Sequence, residues 1–215
     1  IAWVENRLNI PLEVKKAFQF LRSDDPRTKR DGENYIPTDQ LYVLSPDGQQ
    51  IMLKKARRFT RSEMMVMEML STNEWKRPMY FATTVGSDYH LGLDPYLELT
   101  GMAYRITPTR SADGRPRVNT EVMYDNMMNK FRYGNVNKPG IYLDENTLRM
   151  CRTHRMMFSE LAEALYEEGK HDKAIEVLDY AEEMLPGYNV SYDYTSASMA
   201  ALYYTLGEME KGNAI

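Results

Sequence analysis

Cysteine is almost absent from the sequence, since Cys151 is the only one in 215 residues. An internal disulfide and a metal cluster held by several cysteines are therefore excluded. The sequence also lacks any run of about 18 apolar residues, the length that spans a bilayer, and its first residues lack the basic and apolar regions of a signal peptide. We expect a soluble piece of a longer protein, because it starts without methionine and stops at Ile215 within a repeat.

The sequence has no excess of positive charge either, because it contains 27 basic and 31 acidic residues and has a formal charge of −4. Without a global positive field, neither nucleic acid nor anionic lipid is an expected partner. Residues 54–61 form a local basic stretch with apolar residues between the charges. We interpret this stretch as the solvated face of a strand that leads into a helix.

The sequence has no motif typical of a catalytic or cofactor site. It contains neither a glycine-rich phosphate loop nor a Gly-x-Ser-x-Gly nucleophile turn. His90, His154 and His171 are scattered singly, and Asp88 beside His90 has no third ligand at fixed spacing. Surface or capping roles are therefore expected for the histidines, and no metal, no cofactor and no catalytic residue is predicted.

Short strands and helices alternate in the first half of the chain. Apolar residues recur at helical spacing from Leu12 to Leu21, and the polar run 23–34 is expected to be an exposed loop. Residues 40–44 and 50–53 flank a Pro-Asp-Gly turn, which is typical of a β-hairpin. Thr60 followed by Glu63 has the spacing of a capping box at the start of a helix.

Two further strands are predicted over 79–83 and 101–106, with a turn over 95–99 between them. From Thr120 onward the pattern becomes helical, and nothing after Asn146 resembles a strand. The predicted fold class is α+β, a small mixed α/β layer over residues 1–119, followed by an all-α region over 120–215.

The residues from about Arg152 to Pro186 have the spacing of a tetratricopeptide helical hairpin. Small and large apolar residues occupy the positions where two such helices pack, and Gly169 separates them. These positions are Phe158, Leu161, Ala162, Leu165, Ala174, Leu178 and Ala181. A second, incomplete unit is predicted over 193–215, with 187–190 as an inserted loop. The alternative is an ordinary two-helix hairpin; either way the region is predicted to be an interaction module.

Two segments are candidates for ligand or partner contact. Trp75, Arg77 and Tyr80 surround the rigid step at Pro78, at the start of a predicted strand, where loops often bind. Residues 131–140 combine aromatic, guanidinium and amide groups, a mixture that stacks on and hydrogen-bonds to sugars or peptides. The candidates there are Arg132, Tyr133 and Asn135. An ordered loop that packs on the helices is the alternative for this segment.

Several stretches, in this order, resemble the C-terminal soluble region of a large family of multi-pass membrane proteins. They are 73–82 (NEWKRPMYFA), 97–108 (LELTGMAYRITP), 131–135 (FRYGN) and 142–144 (YLD). The family is common in Bacteroidetes and of unknown function, and its membrane-embedded N-terminal half is similar to protein O-mannosyltransferases of the GT-C type. Recurring positions of the family match Arg77, Tyr80, Tyr104, Arg105, Arg132 and Asn135, which adds Arg105 to the candidate contacts.

The resemblance implies a periplasmic domain attached to the membrane-embedded half of the same polypeptide. Because the transferase residues of such enzymes lie in the membrane half, the resemblance implies a non-catalytic accessory role here, with an acceptor protein or glycan as a further partner. Two alternatives remain. One is a carbohydrate-active enzyme with its own pocket and two carboxyl groups about 5–10 Å apart. The other is a structural brace for the membrane half, with an exposed apolar patch and no ligand pocket.

Overall fold

The computed structural model describes residues 2–4, 9–30 and 33–215, and it confirms an α+β part followed by an all-α part. The strands are β1 Ala2–Val4, β2 Leu12–Glu13, β3 Lys29–Arg30, β4 Glu33–Ile36, β5 Leu41–Leu44, β6 Gln50–Met52, β7 Arg58–Phe59, β8 Tyr80–Ala82, β9 Leu97–Leu99, β10 Ala103–Ile106 and β11 Arg117–Val118. The α-helices are α1 Val14–Leu21, α2 Arg61–Asn73, α3 Thr120–Tyr124, α4 Glu145–Glu167, α5 His171–Met184, α6 Ala197–Thr205 and α7 Met209–Ala214.

The strands form three small sheets, with the orders β3-β4-β1-β7, β11-β9-β10-β8 and β2-β5-β6. The predicted hairpin is confirmed, because β5 and β6 pair antiparallel with Val43 opposite Ile51. Its turn is closed by Ser45, whose N–H donates to the Gln49 carbonyl at 2.9 Å and whose hydroxyl accepts from the Gln49 N–H at 2.9 Å. Gly48 takes the left-handed conformation, φ +82°, that the Pro-Asp-Gly sequence favours.

Three local predictions were wrong. Leu12 begins a strand instead of a helix, because Leu12–Glu13 pairs in parallel with β5 and the helix starts only at Val14. Leu97–Leu99, predicted as part of a turn, is a fully buried strand. In the predicted polar loop, Pro26–Thr28 forms a 3-10 turn and β3 pairs with β4, while residues 31 and 32 lie outside the described residues.

The capping box at the start of α2 is confirmed. Thr60 Oγ1 accepts from the Glu63 N–H, and the Glu63 carboxylate accepts from the Thr60 N–H at 2.7 Å. The same buried carboxylate forms an ion pair with Lys54 Nζ at 2.5 Å. Burial by itself raises the pKa of Glu63, but the bonds from Lys54 and Thr60 outweigh it and hold the pKa below its usual value of 4.5.

Acidification is therefore expected to weaken this region. A carboxyl whose pKa is lower in the folded chain than in the unfolded chain stabilises the fold above pH 4.5. This stabilisation is lost as the pH falls through the pKa that the group has in the folded chain. The fall in melting temperature between pH 5 and pH 3 should be smaller in Glu63→Gln, which retains an acceptor for the Thr60 N–H. Glu145→Gln, which alters an exposed first-turn glutamate of α4, is the control. An equal fall in all three proteins would contradict the prediction.

The chain divides into two compact units, one of Ile1–Glu98 with Tyr104–Arg117 and one of Leu99–Ala103 with Val118–Ile215. The core of the first unit is formed by side chains from α1, α2 and the strands. Its most buried members are Val14, Leu41, Ile51, Phe59, Leu91, Leu93 and Leu97, each with 1% of its surface exposed or less. This burial supports the short strands, which have too few hydrogen bonds to be stable alone.

Residues 131–144 of the second unit are not helical, so the helical pattern predicted from Thr120 onward is interrupted there. After α3 the chain continues as a π-helix, Asp125–Lys130, whose end is followed by the non-helical stretch. Asn126 donates from its side chain to the Thr100 carbonyl at 2.7 Å, within the same unit. From Asn146 to Ile215 no strand occurs, as predicted.

The predicted pair of packed helices is present as α4 and α5. All the small and large residues assigned to its interface are buried, from Phe158 at 0% exposed to Leu165 at 1%. Gly169 has φ +73°, and the Lys170 N–H donates to the Leu165 carbonyl at 2.8 Å, so a left-handed glycine ends α4 as expected. Gly207, with φ +86°, separates α6 from α7 in the same way. The assignment of these pairs to the tetratricopeptide class stays a prediction.

Arg155 is a buried charge that the sequence analysis did not single out. Its guanidinium is 0% exposed and donates to the carbonyls of Leu185 at 2.5 Å and Val190 at 2.8 Å. It also reaches Ser196 Oγ at 3.2 Å and lies over the Tyr192 ring at 5.0 Å from its centre. One side chain on α4 thus holds the segment after α5, which contains the predicted inserted loop 187–190.

Candidate functional site

Three of the seven predicted contact residues line one cleft in the first unit. Trp75, Arg77 and Arg105 share it with Pro46, Pro78 and Pro108, and its volume is about 290 Å³. We call it the Trp75 cleft. Strands β8 and β10 are neighbours in one sheet, and the Ile106 N–H donates to the Met79 carbonyl at 2.9 Å. This pairing brings the segment after Trp75 beside the end of β10, so that residues distant in sequence meet.

The end of α2 positions Trp75 through an unusual backbone. Glu74 and Trp75 have φ values of +47° and +59°, two consecutive left-handed residues that are not glycine. Such a conformation costs about 1 kcal/mol or more per residue and persists only where neighbouring contacts hold it. Here the indole Nε1–H of Trp75 donates to the Leu44 carbonyl at 2.7 Å, which fixes the ring against the β5–β6 hairpin.

Asn73 positions the backbone of Arg77. Its side-chain amide donates to the Arg77 carbonyl at 2.7 Å and accepts from the Arg77 N–H at 3.3 Å. Its backbone carbonyl also accepts from the Lys76 N–H at 2.9 Å. Because Pro78 follows, Arg77 is also restricted to an extended conformation. This role of Asn73 was not predicted, although the residue stands in the stretch that carries the family resemblance.

The Trp75 cleft is positively charged. Arg77 and Arg105 are both exposed, and neither forms an ion pair with any residue that the structure describes. Lys76 also lines the cleft, with its Nζ 2.8 Å from the Glu74 carboxylate. None of the described residues lining the cleft is acidic. The cleft therefore offers two free guanidinium groups beside an aromatic ring.

Two further clefts adjoin the Trp75 cleft and share Pro46 with it. The first, of about 300 Å³, is lined by Tyr42 and Trp75 and by the carboxylates Glu13 and Glu74. The other, of about 430 Å³, shares Pro108 as well and has Tyr96 in its wall. The three clefts thus surround the turn of the β5–β6 hairpin. From the sequence, Pro46 was interpreted only as a turn residue, and no role was predicted for Pro108.

Glu74 lines the first adjoining cleft. Hydrogen bonds from Lys76 and Lys15 lower the pKa of Glu74 to about 2. The two lysines lie 2.8 Å and 2.9 Å from its carboxylate oxygens. The group is therefore ionised and neutralised by its neighbours, an arrangement suited to ion pairing and opposite to the raised pKa of a general acid.

The other predicted residues lie elsewhere. Tyr80, on β8, is 51% exposed and does not line the Trp75 cleft. In the second unit, Tyr133 packs against Phe158 with ring centres 5.8 Å apart, and its hydroxyl donates to the Met127 carbonyl at 2.8 Å. Burial, with the nearby Tyr180 as the smaller cause, raises the pKa of Tyr133. Tyr133 thus has a packing role, in agreement with the alternative considered for this segment.

Arg132 and Asn135 also have local structural roles. The Arg132 guanidinium donates to the carbonyls of Asn129 at 3.2 Å and Phe131 at 3.3 Å, at the end of the π-helix. Gly134 and Asn135 have φ values of +62° and +64°, and the Val136 N–H donates to the Tyr133 carbonyl at 3.2 Å. This is a turn with two left-handed central residues, for which glycine and asparagine are favoured.

His90 caps the 3-10 turn Ser87–Tyr89, where its N–H donates to the Ser87 carbonyl at 3.0 Å, in agreement with the capping role predicted for it, but it is not on the surface. It is buried at 3% exposed, with Nδ1 2.9 Å from an Asp94 carboxylate oxygen and its ring 4.9 Å from that of Phe81. His171, by contrast, begins α5 and stacks on Tyr166 with ring centres 4.9 Å apart. Over the part of the chain that the structure describes, no group of three or more His, Cys, Asp or Glu residues is placed to hold a metal ion.

Comparison with known proteins gives one match. Residues 47–126, less than half of the chain, match the family model for TMEM260-associated domain 2. The matched segment contains Trp75, Arg77 and Arg105, and it ends before the loop at 131–140. No curated protein and no solved structure matches the chain. None of the helices within the described ranges is both long and apolar enough to cross a membrane.

Proposed function

We propose that the chain is a non-catalytic accessory domain of a membrane-embedded glycosyltransferase related to the GT-C protein O-mannosyltransferases. It lies on the periplasmic face and presents an acceptor protein to the membrane half of the same polypeptide. The observation that carries this proposal is the match of residues 47–126 to TMEM260-associated domain 2, because TMEM260 is related to O-mannosyltransferases. The resemblance to the Bacteroidetes family supports the periplasmic location.

The geometry of the first unit agrees with a binding role. The matched segment contains most of the Trp75 cleft, which is lined by an aromatic ring and by two arginines without an ion-pair partner among the described residues. A glycosidase would instead need a carboxylic acid with a raised pKa opposite a second carboxylate. In the adjoining cleft, Glu74 has a lowered pKa and two lysine partners, so this carboxylate favours the accessory role over the hydrolase alternative.

The experiment compares the full-length membrane protein with a form that lacks residues 1–215. Sugar transfer from a lipid-linked donor is measured to a whole acceptor protein and to a short acceptor peptide, with immunoblots for the amount of membrane half. An accessory domain predicts that transfer to the protein falls at least about tenfold while transfer to the peptide is retained. The isolated 215-residue chain, as a control, should transfer no sugar.

Other outcomes would contradict the proposal. Unchanged transfer to the whole protein would exclude a role in acceptor presentation, and sugar transfer or hydrolysis by the isolated chain would support the enzyme alternative. Loss of the membrane half itself would indicate the structural brace. For location, alkaline phosphatase fused after Ile215 should be active and β-galactosidase at the same point inactive, and the reverse pattern would contradict a periplasmic position.

A further inference from the structure

We propose that the Trp75 cleft and the two clefts beside it bind an extended, proline-containing acidic segment of a partner protein. The proposal deepens the proposed function and rests on it for the identity of that partner, an acceptor polypeptide. The binding itself is argued from the residues of the first unit alone. It assigns the middle of the segment, an aspartate or glutamate, to Arg77 and Arg105.

The shape of the surface suits an extended chain. The three clefts have volumes of about 290, 300 and 430 Å³, and all three contain Pro46 in their walls. Trp75 lines both the Trp75 cleft and the cleft of about 300 Å³. Pro108 lines both the Trp75 cleft and the cleft of about 430 Å³. Adjoining clefts that share wall residues accept successive side chains of an extended peptide, as grooves that recognise polyproline II segments do.

The walls supply flat apolar faces for proline rings. Tyr42 and Trp75 line the cleft of about 300 Å³. Trp75, Pro78 and Pro108 line the Trp75 cleft, and Tyr96 lines the cleft of about 430 Å³. The indole Nε1–H of Trp75 is already bonded to the Leu44 carbonyl. Trp75 is also partly buried against the core, so the exposed part of its ring is what remains for a ligand. Aromatic side chains give large contact area at low entropic cost, and polyproline II segments dock on aromatic-lined grooves.

The charges specify an acidic side chain at the centre. Arg77 and Arg105 have no ion-pair partner among the described residues, and no acidic residue lines this cleft. A guanidinium matches a carboxylate with two parallel hydrogen bonds, so an acidic side chain complements this pair. Lys15 and Lys76 neutralise Glu74 in the adjoining cleft. Glu13 and Asp47 also line the two flanking clefts, so the acidic side chain of the segment belongs at its centre, in the Trp75 cleft.

The site is formed before a ligand arrives. Trp75 is held by its left-handed backbone and by Leu44, and the backbone of Arg77 is held by both atoms of the Asn73 amide. A rigid site loses less conformational entropy on binding than a mobile one. Backbone strain of the kind seen at Glu74 and Trp75 is concentrated at ligand-binding sites. Both observations are consistent with a recognition site at this turn.

The test measures fluorescence anisotropy with the 215-residue chain and a fluorescein-labelled, proline-rich decapeptide that has a single glutamate at its middle. We expect saturable binding with a dissociation constant below about 1 mM. Arg77→Gln and Arg105→Gln should each weaken binding about tenfold, or about 1.4 kcal/mol, because each removes a charged hydrogen bond. Arg61→Gln removes the same charge from α2 outside all three clefts and should bind as the unaltered chain does.

Several controls make the result decisive. Circular dichroism melts should show that the variants fold, since both arginines are exposed. A peptide with glutamine in place of glutamate should bind about tenfold more weakly, and added salt should weaken the acidic peptide more than the neutral one. Inorganic phosphate is tested as a competitor, to distinguish a small-anion site from a peptide site.

Three results would overturn the inference. They are the absence of saturable binding, equal affinity in the double variant Arg77→Gln/Arg105→Gln, and phosphate binding to the arginines without peptide binding. Failure of the proposed function would have a different signature. If the chain binds the peptide but its removal leaves sugar transfer by the full-length protein unchanged, the peptide site is supported and the accessory role is rejected.

Discussion

Arg155→Ala is expected to lower the free energy of unfolding of the second unit by about 3–5 kcal/mol. The substitution leaves the buried carbonyls of Leu185 and Val190 without their donor, and each such loss costs about 1–3 kcal/mol. The part-buried carbonyl of Ser191 loses a weaker bond of 3.3 Å. It also removes the cation above the Tyr192 ring. Arg155→Lys should be intermediate, because one ammonium group cannot reach the same set of acceptors.

Hydrogen exchange during urea unfolding measures this effect where it arises, in amides of residues 185–196. Arg149→Ala is the matched control on the same helix, since the Arg149 side chain is exposed and its bond to Asn146, among the described residues, is a long 3.4 Å contact. That variant should change the stability by less than about 0.5 kcal/mol. Equal stabilities of the two alanine variants would show that the loop does not depend on the buried guanidinium.

Phe158→Ala is also expected to cost about 3–5 kcal/mol, through a cavity in the core of the second unit. Phe158 is 0% exposed, and its ring centre lies 5.8 Å from that of Tyr133 and 6.0 Å from that of Tyr180. The lost contacts include the anchor of the loop at 131–140, so near-ultraviolet circular dichroism from the tyrosines should weaken. Phe158→Leu, which fills most of the space, should cost less than about half as much.

The control for this change is Met156→Ala, two residues earlier on the same helix. Met156 is 40% exposed, so its truncation should cost less than about 1 kcal/mol. Urea unfolding followed by circular dichroism compares the three variants. A small, equal loss for Phe158→Ala and Met156→Ala would mean that the aromatic cluster does not stabilise the unit, and it would reopen Tyr133 as a ligand contact.

Much of the secondary structure could be predicted because its causes are local. The Pro-Asp-Gly turn, the Thr60 and Glu63 capping box and the glycine between α4 and α5 all act within a few residues of the chain. The helix interface was predicted for the same reason, since residues three and four apart share one face of a helix. The errors at Leu12 and Leu97 concern strands, which depend on partners far along the chain.

In the candidate site, too, single residues could be predicted from their neighbours in the chain, but their spatial arrangement could not. Trp75 and Arg77 were predicted from an aromatic residue beside an Arg-Pro step, and Arg105 through the family resemblance. That Trp75, Arg77 and Arg105 line one cleft followed only from the pairing of β8 with β10. For Arg132, Tyr133 and Asn135 the composition was equally suggestive, yet helix capping, packing and turn geometry already account for these residues.

The α+β and all-α parts, the hairpin turn at Gly48 and the cap at Thr60 could be predicted from the sequence alone, because they depend on residues close together in the chain. Which polar groups are buried and which remain exposed became known only from the folded chain. Arg155 and Arg77 are the same residue type, but one is 0% exposed among carbonyls and the other exposed beside Trp75. The cost of removing a charge from water depends on its surroundings, which the folded chain alone supplies.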